Sequence, residues 1–130
     1  MHNTPYTSLP VYKKSLEIRD LSTAIASYFS KESNYFFKLK RTAGLRDHIA
    51  SSLCIDADLI SKQIKQAATS NSYETRVQSA TFINIITRNL NSYCNGLDHD
   101  GVKEKEYLNL LRRELKSFRV SFKQWRKSLR

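Results

Sequence analysis

The stretch LNLLRRELKSFRVSFKQWRKSLR, residues 108–130, carries the pattern that decides the fold. Leu108, Leu111, Leu115, Phe118, Phe122, Trp125 and Leu129 step by alternating threes and fours, which places all seven on one stripe of an α-helix. A stripe of leucines and rings this long is stable only against other helices, so the rest of the chain must cover it. One position further round, Arg112, Lys116, Arg119, Lys123, Arg126 and Arg130 repeat the same step. A cationic ridge therefore runs beside the apolar seam of the same rod.

Working outward, the helix is expected to begin at Lys103, after the loop Asp98-His99-Asp100-Gly101. Before it, Tyr73, Val77, Ala80, Ile83, Ile86 or Thr87, Leu90, Tyr93 or Cys94, and Leu97 mark a third helix. Asn95-Gly96 is its expected stop, because glycine takes the left-handed C-cap conformation readily. Ser70-Asn71-Ser72 makes a short polar turn with a ready cap. The second helix is predicted to start between Asn34 and Thr42 and to run to about Thr69, with Leu45, Ile49, Leu53, Ile60, Ile64 and Ala67 or Ala68 on its seam. The first opens at Pro10, carries Val11, Ile18, Leu21, Ile25, Tyr28 and Phe29, and is expected to end in the polar stretch Ser30 to Asn34. Residues 1–9, held out of the helical region by Pro5 and Pro10, read as a flexible N-terminal arm. With only three Gly and two Pro, the turns of a sheet-rich fold are not provided for. The expectation is an all-α chain, an antiparallel up-down-up-down four-helix bundle forming one domain over residues 10–130.

The net charge is +10, and between Arg112 and Arg130 eight Lys or Arg face the single acid Glu114. Basicity so concentrated points to nucleic acid, an acidic protein surface or an anionic membrane. Large aromatics at heptad spacing suit partner helices better than a lipid surface. No run approaches the roughly 20 apolar residues of a membrane span, and the first ten residues lack the apolar core of a secretory signal, so a cytoplasmic protein is expected. Cys54 and Cys94 fall inside apolar helical patterns without CxxC spacing and read as buried free thiols.

Little in the chain announces chemistry. His2, His48 and His99 are dispersed, and Asp98-His99-Asp100 lacks the further oxygen ligands of a calcium loop, so no metal is assigned. Glycine-rich phosphate loops and nucleophile motifs are absent from the sequence, and neither an enzyme nor a cofactor is expected. Asp56 reads either as a solvated acid at the seam's edge or as the partner of Arg76 or Arg88. Phe118, Phe122 and Trp125 sit on the seam and read as core, with Trp125 the ring expected to keep an exposed edge.

The ridge is the candidate site. Arg112, Lys116, Arg119, Lys123 and Arg126 cover about 21 Å of helix, enough to track several phosphates of RNA or DNA. A second cluster, Lys38, Lys40, Arg41 and Arg46, falls near the expected start of the second helix and widens the footprint if the bundle brings it close. Neither cluster carries the Asn or Gln pattern of a recognition helix, so backbone binding without sequence preference is expected. The competing reading is a protein-interaction scaffold whose basic face docks an acidic partner, or which self-associates through Leu110, Val120 and Phe82 outside the seams.

Three segments carry a resemblance: Leu9-Pro10-Val11-Tyr12-Lys13-Lys14-Ser15-Leu16, Leu45-Arg46-Asp47-His48-Ile49, and Phe122-Lys123-Gln124-Trp125-Arg126-Lys127-Ser128-Leu129. In these the chain is similar to the bacterial four-helix bundles that include the accessory variability determinant (Avd) proteins of diversity-generating retroelements and the proteins encoded in 23S rRNA intervening sequences. The resemblance implies a non-enzymatic bundle that assembles as a homopentameric ring with basic surfaces and contacts nucleic acid. In the Avd branch it implies an accessory partner of a retroelement reverse transcriptase.

Overall fold

Leu108, Leu111, Leu115, Phe118, Phe122 and Trp125 are all buried in the computed structural model of the chain, along a helix spanning Lys105–Lys127. The structure describes residues 5–40 and 44–129, with side chains described for 5–30 and 44–129. Four helices account for nearly all of this: α1 (Pro10–Lys40), α2 (Leu45–Thr69), α3 (Tyr73–His99) and α4 (Lys105–Lys127), with no strand among the described residues. Each packs closely against two others, α1 on α2 and α4, α3 on α2 and α4, and among the described residues no Cα atoms of either diagonal pair come within 8 Å. The four seams thus close around one core, and no helix among the described residues is long and apolar enough to cross a membrane.

Pro10 opens α1 as expected, its missing N–H costing nothing in a first turn. The helix continues past the expected stop at Ser30 to Asn34 and reaches Lys40, so Tyr35, Phe36 and Phe37 belong to α1 and not to the opening of α2. Polar residues alone do not end a helix: no Gly or Pro interrupts the chain between Pro10 and Gly44, and Gly44 is the N-cap from which α2 starts. On α1 the buried stripe is Val11, Ser15, Ile18, Ser22, Ile25 and Phe29, so two serines occupy steps that a hydrophobic count leaves empty. Ser15 Oγ donates back to the Tyr12 carbonyl, which satisfies its hydroxyl inside the core.

On α2 the stripe is Ala50, Leu53, Ala57, Ile60, Ile64 and Ala67, with Ile49 half-buried beside it. Leu45, expected on this seam, is 63% exposed because it sits in the first turn, beyond the reach of the core. The Ser70-Asn71-Ser72 turn behaves as read: Ser72 Oγ accepts the Thr75 N–H at 3.2 Å and caps α3.

Asn95-Gly96 does not stop α3, which runs to His99. Gly96 is needed for proximity instead, since a Cβ there would lie 3.0 Å from Ile49 Cδ1 on α2. The left-handed residue is Gly101, with φ of 90°, and it turns the chain so that Val102 is buried before α4 begins. Asp98 and His99 are therefore helical rather than part of an open loop, and α4 starts at Lys105 rather than Lys103. Trp125 is buried at 8% exposure, more completely than expected for the end of a seam.

Of the segment read as an arm, Tyr6–Ser8 form a 3₁₀ turn, the Tyr6 ring meets Tyr12 edge-on at 5.0 Å, and Leu9 packs at the edge of the core. Residues 1–4 lie outside the described residues.

The seam assignment has a direct test in two leucines of α2. Leu53→Ala, at a fully buried position, should cost about 3 kcal/mol in urea denaturation. Leu45→Ala should change stability by less than about 0.5 kcal/mol, and equal losses at the two positions would contradict the rotation assigned to α2.

Candidate functional site

Burial of the aromatic stripe fixes the rotation of α4, and two sets of contacts show which neighbours its flanks face. On one flank, Ser117 Oγ accepts from Lys14 Nζ at 2.7 Å and Tyr107 meets Tyr28 at 5.3 Å, so this side looks onto α1. On the other, Arg112 reaches Asn95 and Asp98 of α3, and Lys123 and Arg126 share a cavity with Tyr73 and Val77 of α3. The cationic ridge is thus the α3-facing edge of α4.

The ridge is not uniform. The Arg112 guanidinium donates to Asn95 Oδ1 at 2.8 Å, Asn109 Oδ1 at 3.0 Å and Asp98 Oδ2 at 3.3 Å. Lys105 Nζ lies 3.0 Å from the other oxygen of Asp98. The hydrogen bond from Lys105, reinforced by its charge and by Arg112, holds the Asp98 carboxyl below its ordinary value of 3.8. Arg112 is consequently a tie between α3 and α4, its charge offset by a carboxylate that it shares with Lys105. By contrast, no ion pair or hydrogen bond engages the side chains of Lys116, Arg119, Lys123 or Arg126 among the described residues. Lys116, Lys123 and Arg126 are exposed and Arg119 is half-exposed, leaving four cations of the expected row open to an external anion.

The second cluster does not assemble on α2. Lys38 and Lys40 belong to α1, and their side chains, with the whole of Arg41, lie outside the described residues. Arg46 is on α2 but is spent on the α3 terminus: its Nε donates to Asp100 Oδ2 at 2.8 Å and its Nη2 to the Asp100 carbonyl at 3.3 Å. Arg130 also lies outside the described residues.

Sequence reading missed one feature of this edge. Between the start of α3 and the end of α4 lies a cavity of about 410 Å³, lined by Tyr73, Val77 and Thr81 on one side and Lys123, Arg126 and Lys127 on the other. Tyr73 and Val77 were expected in the core, yet they are 59% and 43% exposed. The step from Tyr73 to Ala80 is taken instead by half-buried Arg76, which donates to the carbonyls of Leu129 and Ser70, each at 3.0 Å, and so closes the end of the bundle with polar bonds. The signal available in the sequence was Arg76 itself, a charge interrupting the apolar step where the core ends.

Groups with chemical potential elsewhere are held in quiet states. Asp56 pairs with neither Arg76 nor Arg88; it accepts from the Tyr93 hydroxyl at 2.6 Å. Burial, followed by that bond and the Asp56 charge, pushes Tyr93 up to about 12. The stability Tyr93 contributes is therefore complete below its ordinary value of 10.0 and is lost as pH rises through about 12. Cys94 is buried, and burial pushes its thiol up to about 11, while Cys54 is half-exposed with Thr23 Oγ1 3.7 Å from its sulfur.

Because the Asp98 carboxyl is depressed, its contribution to stability is complete above pH 3.8 and disappears as pH falls through its folded-state value. Asp98→Asn should accordingly flatten the acid limb of stability measured by urea titration below pH 4, and an unchanged limb would contradict the Lys105–Asp98–Arg112 tie. No family model, no curated protein and no solved structure matches this chain.

Proposed function

We propose that this chain is a non-enzymatic, basic four-helix scaffold that binds the phosphate backbone of RNA or DNA along the α3-facing edge of α4. The observation that carries the reading is the contrast along one row: Arg112 shares the Asp98 carboxylate with Lys105, whereas Lys116, Arg119, Lys123 and Arg126 have no internal counter-charge among the described residues. Spaced along one rigid helix, these four cations present about 15 Å of unmet positive charge, a length that spans about four phosphates of a strand at about 3.4 Å each.

The helices are read as an up-down-up-down antiparallel bundle. Supporting this, Ser30 late in α1 bonds Asp47 at the start of α2, Arg46 meets Asp100 beyond the end of α3, and Lys14 early in α1 meets Ser117 in the second half of α4. Phe82 and Val120, exposed outside the seams together with Ile85, favour self-association, and the resemblance to Avd-like bundles extends the proposal to a homopentamer acting with a retroelement reverse transcriptase in the cytoplasm.

Counterion release makes the reading quantitative. Replacing Lys116, Arg119, Lys123 and Arg126 together by Gln should weaken binding to labelled RNA and DNA of any sequence. It should also reduce the slope of log affinity against log salt by about three to four, while the far-ultraviolet dichroism stays helical. An unchanged affinity and slope would remove this edge as the binding surface, and capture of an acidic protein by the same residues after nuclease treatment would favour the protein-docking alternative.

A further inference from the structure

The cavity between the start of α3 and the end of α4 differs in chemistry from the ridge that leads to it. One wall is the ring of Tyr73 with Val77, both substantially exposed; the other is Lys123, Arg126 and Lys127. No acidic side chain lines it among the described residues. A site with an uncovered aromatic face opposite three cations matches an occupant that is flat and apolar on one side and negatively charged on the other. A nucleotide unit has that construction, provided its base is not already stacked and paired. A duplex presents its phosphates to the surface but keeps its base faces inside, so it satisfies the cations and leaves the tyrosine bare.

The tyrosine is also braced. The Arg76 guanidinium lies 6.0 Å from the Tyr73 ring centroid, and it is itself fixed by the carbonyls of Leu129 and Ser70. A cation held beside the ring steadies it, which lowers the entropic cost of ordering the ring on a ligand. Lys123 and Arg126 belong both to this cavity and to the open row on α4, so a strand tracking that row would run into the cavity without a break.

We infer that the cavity is a docking point for single-stranded nucleic acid, with an unpaired base against Tyr73 and Val77 and the adjoining phosphates on Lys123, Arg126 and Lys127. This rests on the phosphate-binding role proposed above and adds to it a preference for single strands over duplexes.

The test compares a short labelled DNA strand with the same strand annealed to its complement, using fluorescence anisotropy on the full chain. Tyr73→Ala should weaken binding to the single strand about tenfold, about 1.4 kcal/mol, and leave duplex binding unchanged, since only an unpaired base can stack on the ring. Tyr73→Trp should restore the single-strand affinity. Removing bases from the strand should weaken wild-type binding by a similar factor and make it insensitive to Tyr73→Ala. If the alanine variant proves misfolded by circular dichroism, Tyr73→Leu, which keeps apolar cover but no ring, gives the same comparison. Equal effects on strand and duplex, or none on either, would overturn the inference while leaving the phosphate-binding role standing. A change in oligomer mass with no change in strand binding would assign the cavity to a second copy of the chain. A wild-type chain that binds neither form would overturn both the role and the inference.

Discussion

The rotation of one helix governs the rest of this molecule. Phe118, Phe122 and Trp125, with Leu108, Leu111 and Leu115, can be buried together only if α4 turns a single face inward, and each such side chain contributes about 1.5–3 kcal/mol when removed from water. That orientation leaves no freedom in where the next residues round the helix point. Arg112, Lys116, Arg119, Lys123 and Arg126 are brought to the side of α3, while Ser117 and Tyr107 are turned to α1. The cationic edge is a consequence of packing the core, which fixes the backbone positions that carry it.

Acids then give the edge a polarity. Asp98 holds Lys105 and Arg112, and Asp100 holds Arg46, so positive charge where α3 ends and α4 begins is absorbed in joining the helices. Towards the other end of α4, Lys123, Arg126 and Lys127 stand around Tyr73 and Val77 without such partners among the described residues. Exposed pairs of this kind are worth little individually, but they decide where the unspent charge lies. The molecule is therefore tied at one end of the α3–α4 edge and open at the other, with Arg76 sealing the core beneath the open end by bonding the Leu129 and Ser70 carbonyls.

Most of the helical content was legible from spacing, because leucine, isoleucine and phenylalanine at threes and fours leave few alternatives to a buried helical face. What spacing misjudged has specific causes. Ser15 and Ser22 complete the α1 stripe but are invisible to a hydrophobic count. Gly96 looked like a stop and proved to be a point of close approach to Ile49, whereas Gly101 makes the left-handed turn. Leu45, Tyr73 and Val77 kept the rhythm of a seam beyond the place where partner helices cover it. The candidate site was legible as a row of cations but not as a row with two fates, since the pairing of Arg112 and Arg46 depends on acids brought together by folding. The aromatic cavity had only the indirect signature of Arg76 breaking the apolar step, because its walls come from residues about fifty positions apart in sequence.

Chemical footprinting of lysines reads directly whether the edge of α4 beside α3 is the face that meets nucleic acid. Acetylation of the full chain with and without a bound single strand, followed residue by residue by mass spectrometry, should show protection at Lys116, Lys123 and Lys127 while Lys62 and Lys65, exposed on α2, react as before. Protection spread evenly over all five, or confined to the two on α2, would contradict that placement.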